Sequence, residues 1–167
     1  MASEKSSGLL DKARASLEKL LKPSGGAERR VRVYVISDQI YIHPLSLLDN
    51  GRAWTSAEPI TKIARNAVED TIGQAILTAL KFSKTGVQSS NGAFERKMVE
   101  TAKMPDWQTL TQRALCVQIR TRDKVSVVQP MRVEHGIFSR VDGKELHGDL
   151  TSVKLGHLLV ESLFACE

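Results

Sequence analysis

The chain has 167 residues, of which 41% are hydrophobic and 26% charged, and its formal net charge is +5 at pH 7. This length suits one sizeable core and is short of what two independent domains usually need, so one domain is expected. No stretch is long and apolar enough to cross a bilayer, and no apolar run follows Met1 that would serve as a signal peptide. We therefore expect a cytoplasmic protein that does not enter a membrane.

Most of the positive charge lies near the N-terminus. Residues 1–36 hold eight Lys or Arg against four Asp or Glu, whereas the rest of the chain holds sixteen against fifteen. A nucleic-acid-binding surface normally has its basic excess on the folded body, with aromatic side chains among it. Direct nucleic-acid binding is therefore not expected. It stays open as the alternative function, through the basic N-terminal segment with Arg29, Arg30 and Arg32.

The N-terminal segment has a helical pattern. Apolar residues recur at helical spacing between residues 7 and 22, and the Pro-Ser-Gly-Gly stretch at 23–26 ends the pattern. The polar face has acidic residues as well as lysines, which favours a docked helix or a loose extension over a membrane-surface anchor. We expect residues 1–30 to form a helical extension and linker, and residues 31–167 to form the domain.

A β-hairpin is predicted at the start of the body. Residues 31–36 are rich in β-branched side chains, residues 37–39 favour a turn, and residues 40–43 predict the return strand. Pro44 is expected to end this strand, because proline lacks the N–H that a strand ladder needs.

A short strand and an amphipathic helix are predicted after the hairpin. Residues 59–63 favour the strand, and apolar residues recur at helical spacing across residues 66–80. Asn66 is suited to cap this helix, because its side chain can accept hydrogen bonds from the N–H groups of the first turn.

A helical insertion is predicted next. Residues 84–92 are rich in turn formers and predict a loop, and two short helices are expected at 93–103 and 106–115. Asp106 is a suitable cap for the second helix, and Trp107 is expected on its buried face.

The first pattern then recurs. Residues 116–119 and 125–129 predict a second hairpin, Pro130 is expected to end it, and a strand at 144–147 precedes a helix at 149–164 that Asp149 can cap. The two hairpin prolines are 86 positions apart, and matching helix positions are 83 apart. Two amphipathic helices can align by chance, but chance does not explain glycines in the same register. The matched pairs are Pro44 with Pro130, Gly73 with Gly156, and Trp54 with Phe138.

The predicted fold class follows from these elements. We expect an α+β fold, in which a mainly antiparallel sheet is built from two repeated β-hairpin-helix units at residues 31–83 and 116–166. The N-terminal amphipathic helix and the helical insertion between the units are additions to this plan.

No residue pattern indicates catalysis, a metal or a cofactor. The histidines are scattered, the two cysteines lack a Cys-x-x-Cys spacing, and no phosphate-binding glycine loop is present. Only Cys116 and the four histidines suggest an unrecognised enzyme, and the place of Cys116 in an apolar strand is expected to raise its thiol pKa. We therefore predict a protein that is not an enzyme, with no catalytic residue, no metal and no cofactor.

Four parts of the sequence, at residues 35–44, 83–86 and 116–119 and in the closing helix that ends in Cys166, carry a resemblance to one bacterial family. The family is the immunity proteins of contact-dependent growth inhibition systems. The resemblance spans residues 31–166, and its most specific part is Ser-Asp-Gln-Ile-Tyr-Ile-x-Pro at residues 37–44. The family usually has Thr-Gly-Val-Pro-His-Pro after the first helix, whereas this chain has Thr-Gly-Val-Gln-Ser-Ser at residues 85–90. The other matching stretches are Ser83 to Gly86, Cys116 to Ile119, and the closing helix that ends in Cys166.

The resemblance implies a protein without catalytic activity. Such a protein binds and neutralises the cognate C-terminal toxin domain, often a nuclease, of a large secreted effector. Members differ in their toxin-facing residues, so the resemblance assigns no interface positions.

The toxin-binding surface is instead predicted from the loops. Loops on a rigid scaffold can vary without disturbing the core, and a half-exposed aromatic residue is a typical binding anchor. The alternatives are that the two aromatic residues are buried plugs with only a charged rim exposed, or that the loop at 88–94 binds. The predicted site residues are Asp49, Arg52, Trp54, Glu134, Phe138 and Arg140.

Overall fold

The structure is a computed structural model that describes residues 26–166. The helix predicted at residues 7–22 lies outside the described residues. The helices within them are α1 (Glu69–Lys81), α2 (Ala93–Ala102), α3 (Trp107–Arg113) and α4 (Ser152–Leu163). The strands are β1 (Arg29–Ile36), β2 (Gln39–Leu48), β3 (Trp54–Ser56), β4 (Thr61–Ala64), β5 (Thr85–Val87), β6 (Leu115–Arg122), β7 (Val125–Glu134), β8 (Ile137–Arg140) and β9 (Leu146–Asp149).

The nine strands of the described chain form one sheet. The order is β3-β2-β1-β6-β7-β8, and β1 and β6 pair antiparallel at its centre. The outer edge of β2 pairs first with β4 and then with β3, and the outer edge of β7 pairs in the same way with β9 and then with β8. Of these pairings only that of β5 with β2 is parallel. The predicted α+β class with a mainly antiparallel sheet is confirmed.

The prediction that the prolines end the return strands is wrong. β2 continues through Pro44 to Leu48, and β7 continues through Pro130 to Glu134. The carbonyl oxygen of Pro44 points to the outer edge of β2, where it accepts a hydrogen bond from the N–H of Ala57 at 3.0 Å. The proline nitrogen points the same way, toward the gap between β4 and β3, so the missing N–H costs the ladder nothing.

The two faces of the sheet pack against different helices. Valine and isoleucine residues at alternate positions of β1 and β6 face α1 and α4, and the intervening residues face α2 and α3. The first core contains Val31, Val33, Ile42, Ile72, Ile76, Val117, Ile119, Leu155 and Leu159, and the second contains Tyr34, Tyr41, Phe94, Met98, Leu110, Cys116 and Met131.

The helices α1 and α4 cross in close contact at two glycines. A Cβ atom on Gly73 would lie 1.7 Å from the backbone oxygen of Ser152, and one on Gly156 would lie 1.9 Å from the backbone oxygen of Glu69. The contacts are reciprocal, since each glycine packs on the N-terminal turn of the other helix. Both glycines are therefore required by the packing and not by backbone conformation.

Two of the three predicted helix caps are wrong. The N-cap of α1 is Val68, which forms no side-chain cap, and Asn66 lies in the turn before it. Asp149 pairs with Val125 at the end of β9, and this extended pairing moves the cap of α4 to Thr151. The Asp106 cap is confirmed, because its carboxylate accepts a hydrogen bond from the N–H of Thr109 at 2.7 Å.

Candidate functional site

The structure places the six predicted site residues at two separate corners of the sheet. Leu47 pairs with Trp54 at one corner, and Met131 pairs with Arg140 at the other. When the strand pairings are followed from β7 through β6 and β1 to β2, Met131 lies level with Tyr41. Tyr41 is six residues before Leu47 on β2. At about 3.3 Å per residue this is roughly 20 Å along the strand. The six residues therefore do not form one patch.

The first corner is the turn between β2 and β3. Asp49 and Arg52 are exposed, and the Asn50 side-chain oxygen fixes the turn by accepting a hydrogen bond from the N–H of Arg52 at 2.9 Å. Trp54 is half-buried, and the guanidinium carbon of Arg30 lies 4.4 Å from its ring centroid. This cation–π contact holds Trp54 against the sheet.

The second corner is the turn between β7 and β8. Glu134 and Arg140 are exposed, and a hydrogen bond from Arg132 Nε at 2.6 Å lowers the pKa of Glu134. Phe138 is half-buried, with its ring centroid 5.4 Å from that of Tyr34. The charged residues at both corners are thus open to a partner, while both aromatic rings also have contacts within the body.

A buried polar cluster lies between the sheet and α2. Tyr34 and His43 stack with ring centroids 5.5 Å apart, and Phe94 of α2 lies 4.4 Å from the His43 ring. Four polar atoms are buried here without a hydrogen-bond partner in the described part of the chain, which are Arg32 Nε, the Tyr34 hydroxyl, His43 Nε2 and Glu95 Oε2. This cluster was not predicted from the sequence, although Arg32 and Tyr34 alternate with valines on β1 and this alternation was the available signal.

The groups of this cluster do not form a nucleophile–base pair at neutral pH. Burial and the positive charge of Arg32 lower the pKa of His43 to about 3, so its imidazole is neutral. Burial raises the pKa of Cys116 to about 12, so its thiol stays protonated. A protonated buried thiol is a poor nucleophile, and the predicted rise in the thiol pKa of Cys116 is confirmed.

An open groove lies on the same face as this cluster, toward the β6–β7 turn. Its volume is about 190 Å³. Arg120 sits directly opposite Arg30 in the β1–β6 ladder and opposite Val127 in the β6–β7 ladder. We call it the arginine groove; it is lined by Glu28, Arg120, Thr121, Arg122, Val125 and Val127.

The structure of residues 26–166 also bears on metal binding and on membrane insertion. No group of three or more His, Cys, Asp or Glu side chains is arranged to hold a metal ion there. Within the same residues, no helix has the length and apolar character needed to cross a membrane.

The comparisons with known proteins concern the fold. No protein-family model matches the sequence, and no curated protein matches it. The chain is similar to a chain of the CdiA-CT/CdiI toxin and immunity complex from Yersinia pseudotuberculosis, with a TM-score of 0.72 and 12% identity over 86% of this chain and 100% of that one. It is also similar to a protein of unknown function from Neisseria meningitidis, with a TM-score of 0.71 and 16% identity over 84% of this chain and 96% of that one.

These likenesses establish a fold shared at a distance. The fold is found in a toxin and immunity complex, which agrees with the family that the sequence resembles. Neither similar structure is described as an enzyme.

Proposed function

We propose that the chain is an immunity protein of a contact-dependent growth inhibition system. In this proposal it acts in the cytoplasm and binds the cognate C-terminal toxin domain of a large secreted effector. It neutralises the toxin by occupying its surface, without catalysis and without a cofactor. The observation that carries the proposal is the fold, which matches the full length of a chain from a CdiA-CT/CdiI toxin and immunity complex.

The chemistry of the described residues supports a binding role. The buried polar cluster holds a neutral histidine and a protonated thiol, so it is not equipped for acid–base or nucleophilic catalysis at neutral pH. Asp49 and Arg52 are exposed on the turn between β2 and β3, and Glu134 and Arg140 are exposed at the ends of β7 and β8. Exposed charges beside turns are common in binding proteins.

We also infer that the domain, residues 31–167, consists of two repeated units. The ladder positions of Trp54 and Phe138 support this, because Leu47 and Val133, which pair with them, are 86 residues apart, as Pro44 and Pro130 are. The reciprocal glycine contacts between α1 and α4 support it as well. A two-fold arrangement of the two units would explain why the β2–β3 turn and the β7–β8 turn lie at opposite corners of the sheet.

The six residues at the corners remain candidates for toxin contact. Because the corners are roughly 20 Å apart along the strands, a small toxin surface would engage one corner at a time. The first corner offers Asp49, Arg52 and Trp54, and the second offers Glu134, Phe138 and Arg140.

The experiment that tests the proposal is a binding measurement with the toxin domain encoded directly upstream of the gene for this chain. We expect a one-to-one complex with a dissociation constant in the nanomolar range, as stable protein–protein interfaces of standard size can reach. A toxin domain from an unrelated effector is the matched control and should not bind at micromolar concentration. Equal binding of both domains, or of neither, would contradict the proposal.

A further inference from the structure

We propose that the arginine groove is the subsite that captures an acidic side chain of the toxin domain. The inference rests on the proposed function and deepens it by naming the surface and the chemistry of the contact. The ligand is a carboxylate on an acidic segment of the partner protein.

The charge of the groove region favours an anion. Arg30 and Arg120 occupy directly opposite positions in the β1–β6 ladder, but the guanidinium of Arg30 stacks on Trp54, which leaves Arg120 and Arg122 as the arginines that line the groove. Arg30 and Arg120 each have one carboxylate neighbour, since Glu28 lies 2.5 Å from Arg30 Nε and Glu145 lies 3.6 Å from Arg120 Nη2. Arg122 is exposed and forms no ion pair with any residue between 26 and 166. This arginine is therefore available to a carboxylate from outside.

Arg32 adds a fourth positive charge to this face, from within the sheet. Arg32 is two residues along β1 from Arg30 on the same face, and its Nη2 donates to the side-chain oxygen of Gln118 at 3.2 Å. Its Nε is buried and has no hydrogen-bond partner among the described residues. The nearby His43 is neutral and adds no charge. Of the four arginines on this face, only Arg120 and Arg122 line the groove. The carboxylates on the face are those of Glu28, Glu145 and Glu95, and the exposed Arg122 is left without an ion pair among residues 26–166.

The shape and walls of the groove select a single acidic side chain over a nucleic acid. A volume of about 190 Å³ admits one or two side chains and not a duplex. Val125 and Val127 give the groove an apolar wall, which suits the methylene groups of Glu or Asp. A continuous phosphate backbone would also pass Glu28 and Glu145, which would repel it. Guanidinium groups bind isolated carboxylates well, because two parallel N–H donors match the two oxygens.

The experiment reverses the groove charges and measures binding of the upstream-encoded toxin domain. We expect Arg120→Glu with Arg122→Glu to weaken the affinity about 100-fold and Arg122→Glu alone about 10-fold, because a charge pair at an interface becomes a repulsion. The matched control is Arg96→Glu with Arg113→Glu, which makes the same charge change on exposed positions of α2 and α3 and should alter affinity less than about 3-fold. Raising the salt concentration should weaken binding of the unaltered chain more than binding of the groove variant.

The outcomes separate the inference from the proposed function. If the groove variant binds the toxin domain as tightly as the control variant does, the inference is wrong and the proposed function is unaffected. Failure of the unaltered chain to bind the toxin domain would overturn both. If the unaltered chain binds a 30-base-pair nucleic-acid duplex and the groove variant does not, while both bind the toxin domain equally tightly, the groove is a nucleic-acid site and the inference is wrong. If the double variant does not fold, Arg122→Glu carries the test, because Arg122 is exposed and has no ion pair in residues 26–166.

Discussion

Gly73→Ala is expected to lower the free energy of unfolding by about 3 kcal/mol, because the added methyl group would overlap a backbone oxygen of α4. Its Cβ would lie 1.7 Å from the oxygen of Ser152, and a backbone atom cannot rotate away as a side chain can. The helices would have to separate along their whole contact. Urea unfolding of the two proteins measures the difference directly.

The direction in which Gly73→Ala changes the free energy of unfolding distinguishes close helix packing from helix propensity alone. Alanine has a better helix propensity than glycine by about 1 kcal/mol, so propensity alone predicts that Gly73→Ala stabilises the protein. Gln74→Ala is the matched control, since Gln74 is the exposed neighbour on the same helix, and its effect should stay within about 0.5 kcal/mol. Stabilisation by Gly73→Ala would show that α1 and α4 do not cross in contact at this residue.

His43 is expected to make the protein less stable in acid by about 2 kcal/mol at pH 5 relative to pH 8. The pKa of His43 is lowered to about 3 in the folded chain by burial and by Arg32, against an ordinary value of 6.5. Between these two values the unfolded chain binds a proton that the folded chain does not. Stability from this residue is therefore complete above about pH 6.5 and is lost progressively as the pH falls toward 3.

His43→Gln is the variant that isolates this effect. His43 Nδ1 lies 3.1 Å from the carbonyl oxygen of Pro44, and the matching residue Gln129 donates from its side-chain nitrogen to the carbonyl oxygen of Pro130 at 3.2 Å. Glutamine can therefore replace the hydrogen bond and remove the titration. We expect the variant to lose about 2 kcal/mol less than the original chain between pH 8 and pH 5.

The matched control for the acid effect is His157→Gln. His157 is exposed on α4, with its Nδ1 3.3 Å from a carboxylate oxygen of Glu69. The His157→Gln variant should lose as much stability between pH 8 and pH 5 as the original chain does, because His43 is still present. If His43→Gln and the original chain lose the same stability between pH 8 and pH 5 in urea unfolding, His43 is not a buried neutral histidine.

Much of the fold could be predicted from local patterns. The two hairpins, the strands β4 and β9 and the four described helices have apolar periodicity or turn residues that identify them. Gly73 and Gly156 were matched only as equivalent positions of two helices, and the structure adds that these helices cross at those residues. Local sequence is informative here because each of these elements buries one face along its own length.

The errors arise where distant parts of the chain decide the structure. Pro44 reads as a strand end, but it stays in β2 because its nitrogen faces a gap between two other strands. The strands β3, β5 and β8 are three or four residues long, and their pairing with β2 and β7 defines them more than their own composition does.

The candidate site was harder to predict than the fold. Asp49, Arg52, Glu134 and Arg140 are exposed, but the sheet topology that separates Asp49 from Glu134 cannot be read from either loop. The arginine groove was missed because Arg120 and Arg30 are distant in sequence and become neighbours only through the β1–β6 ladder.

Growth of bacteria that produce the upstream-encoded toxin domain is the most direct test of the proposed function. We expect cells that also produce this chain to grow at the rate of cells without toxin, because the neutralised toxin has no free active surface. The same chain should give no protection against a toxin domain from an unrelated effector. Arrest of growth by the upstream-encoded toxin, in cells where the folded chain accumulates in excess over it, would contradict the assignment as an immunity protein.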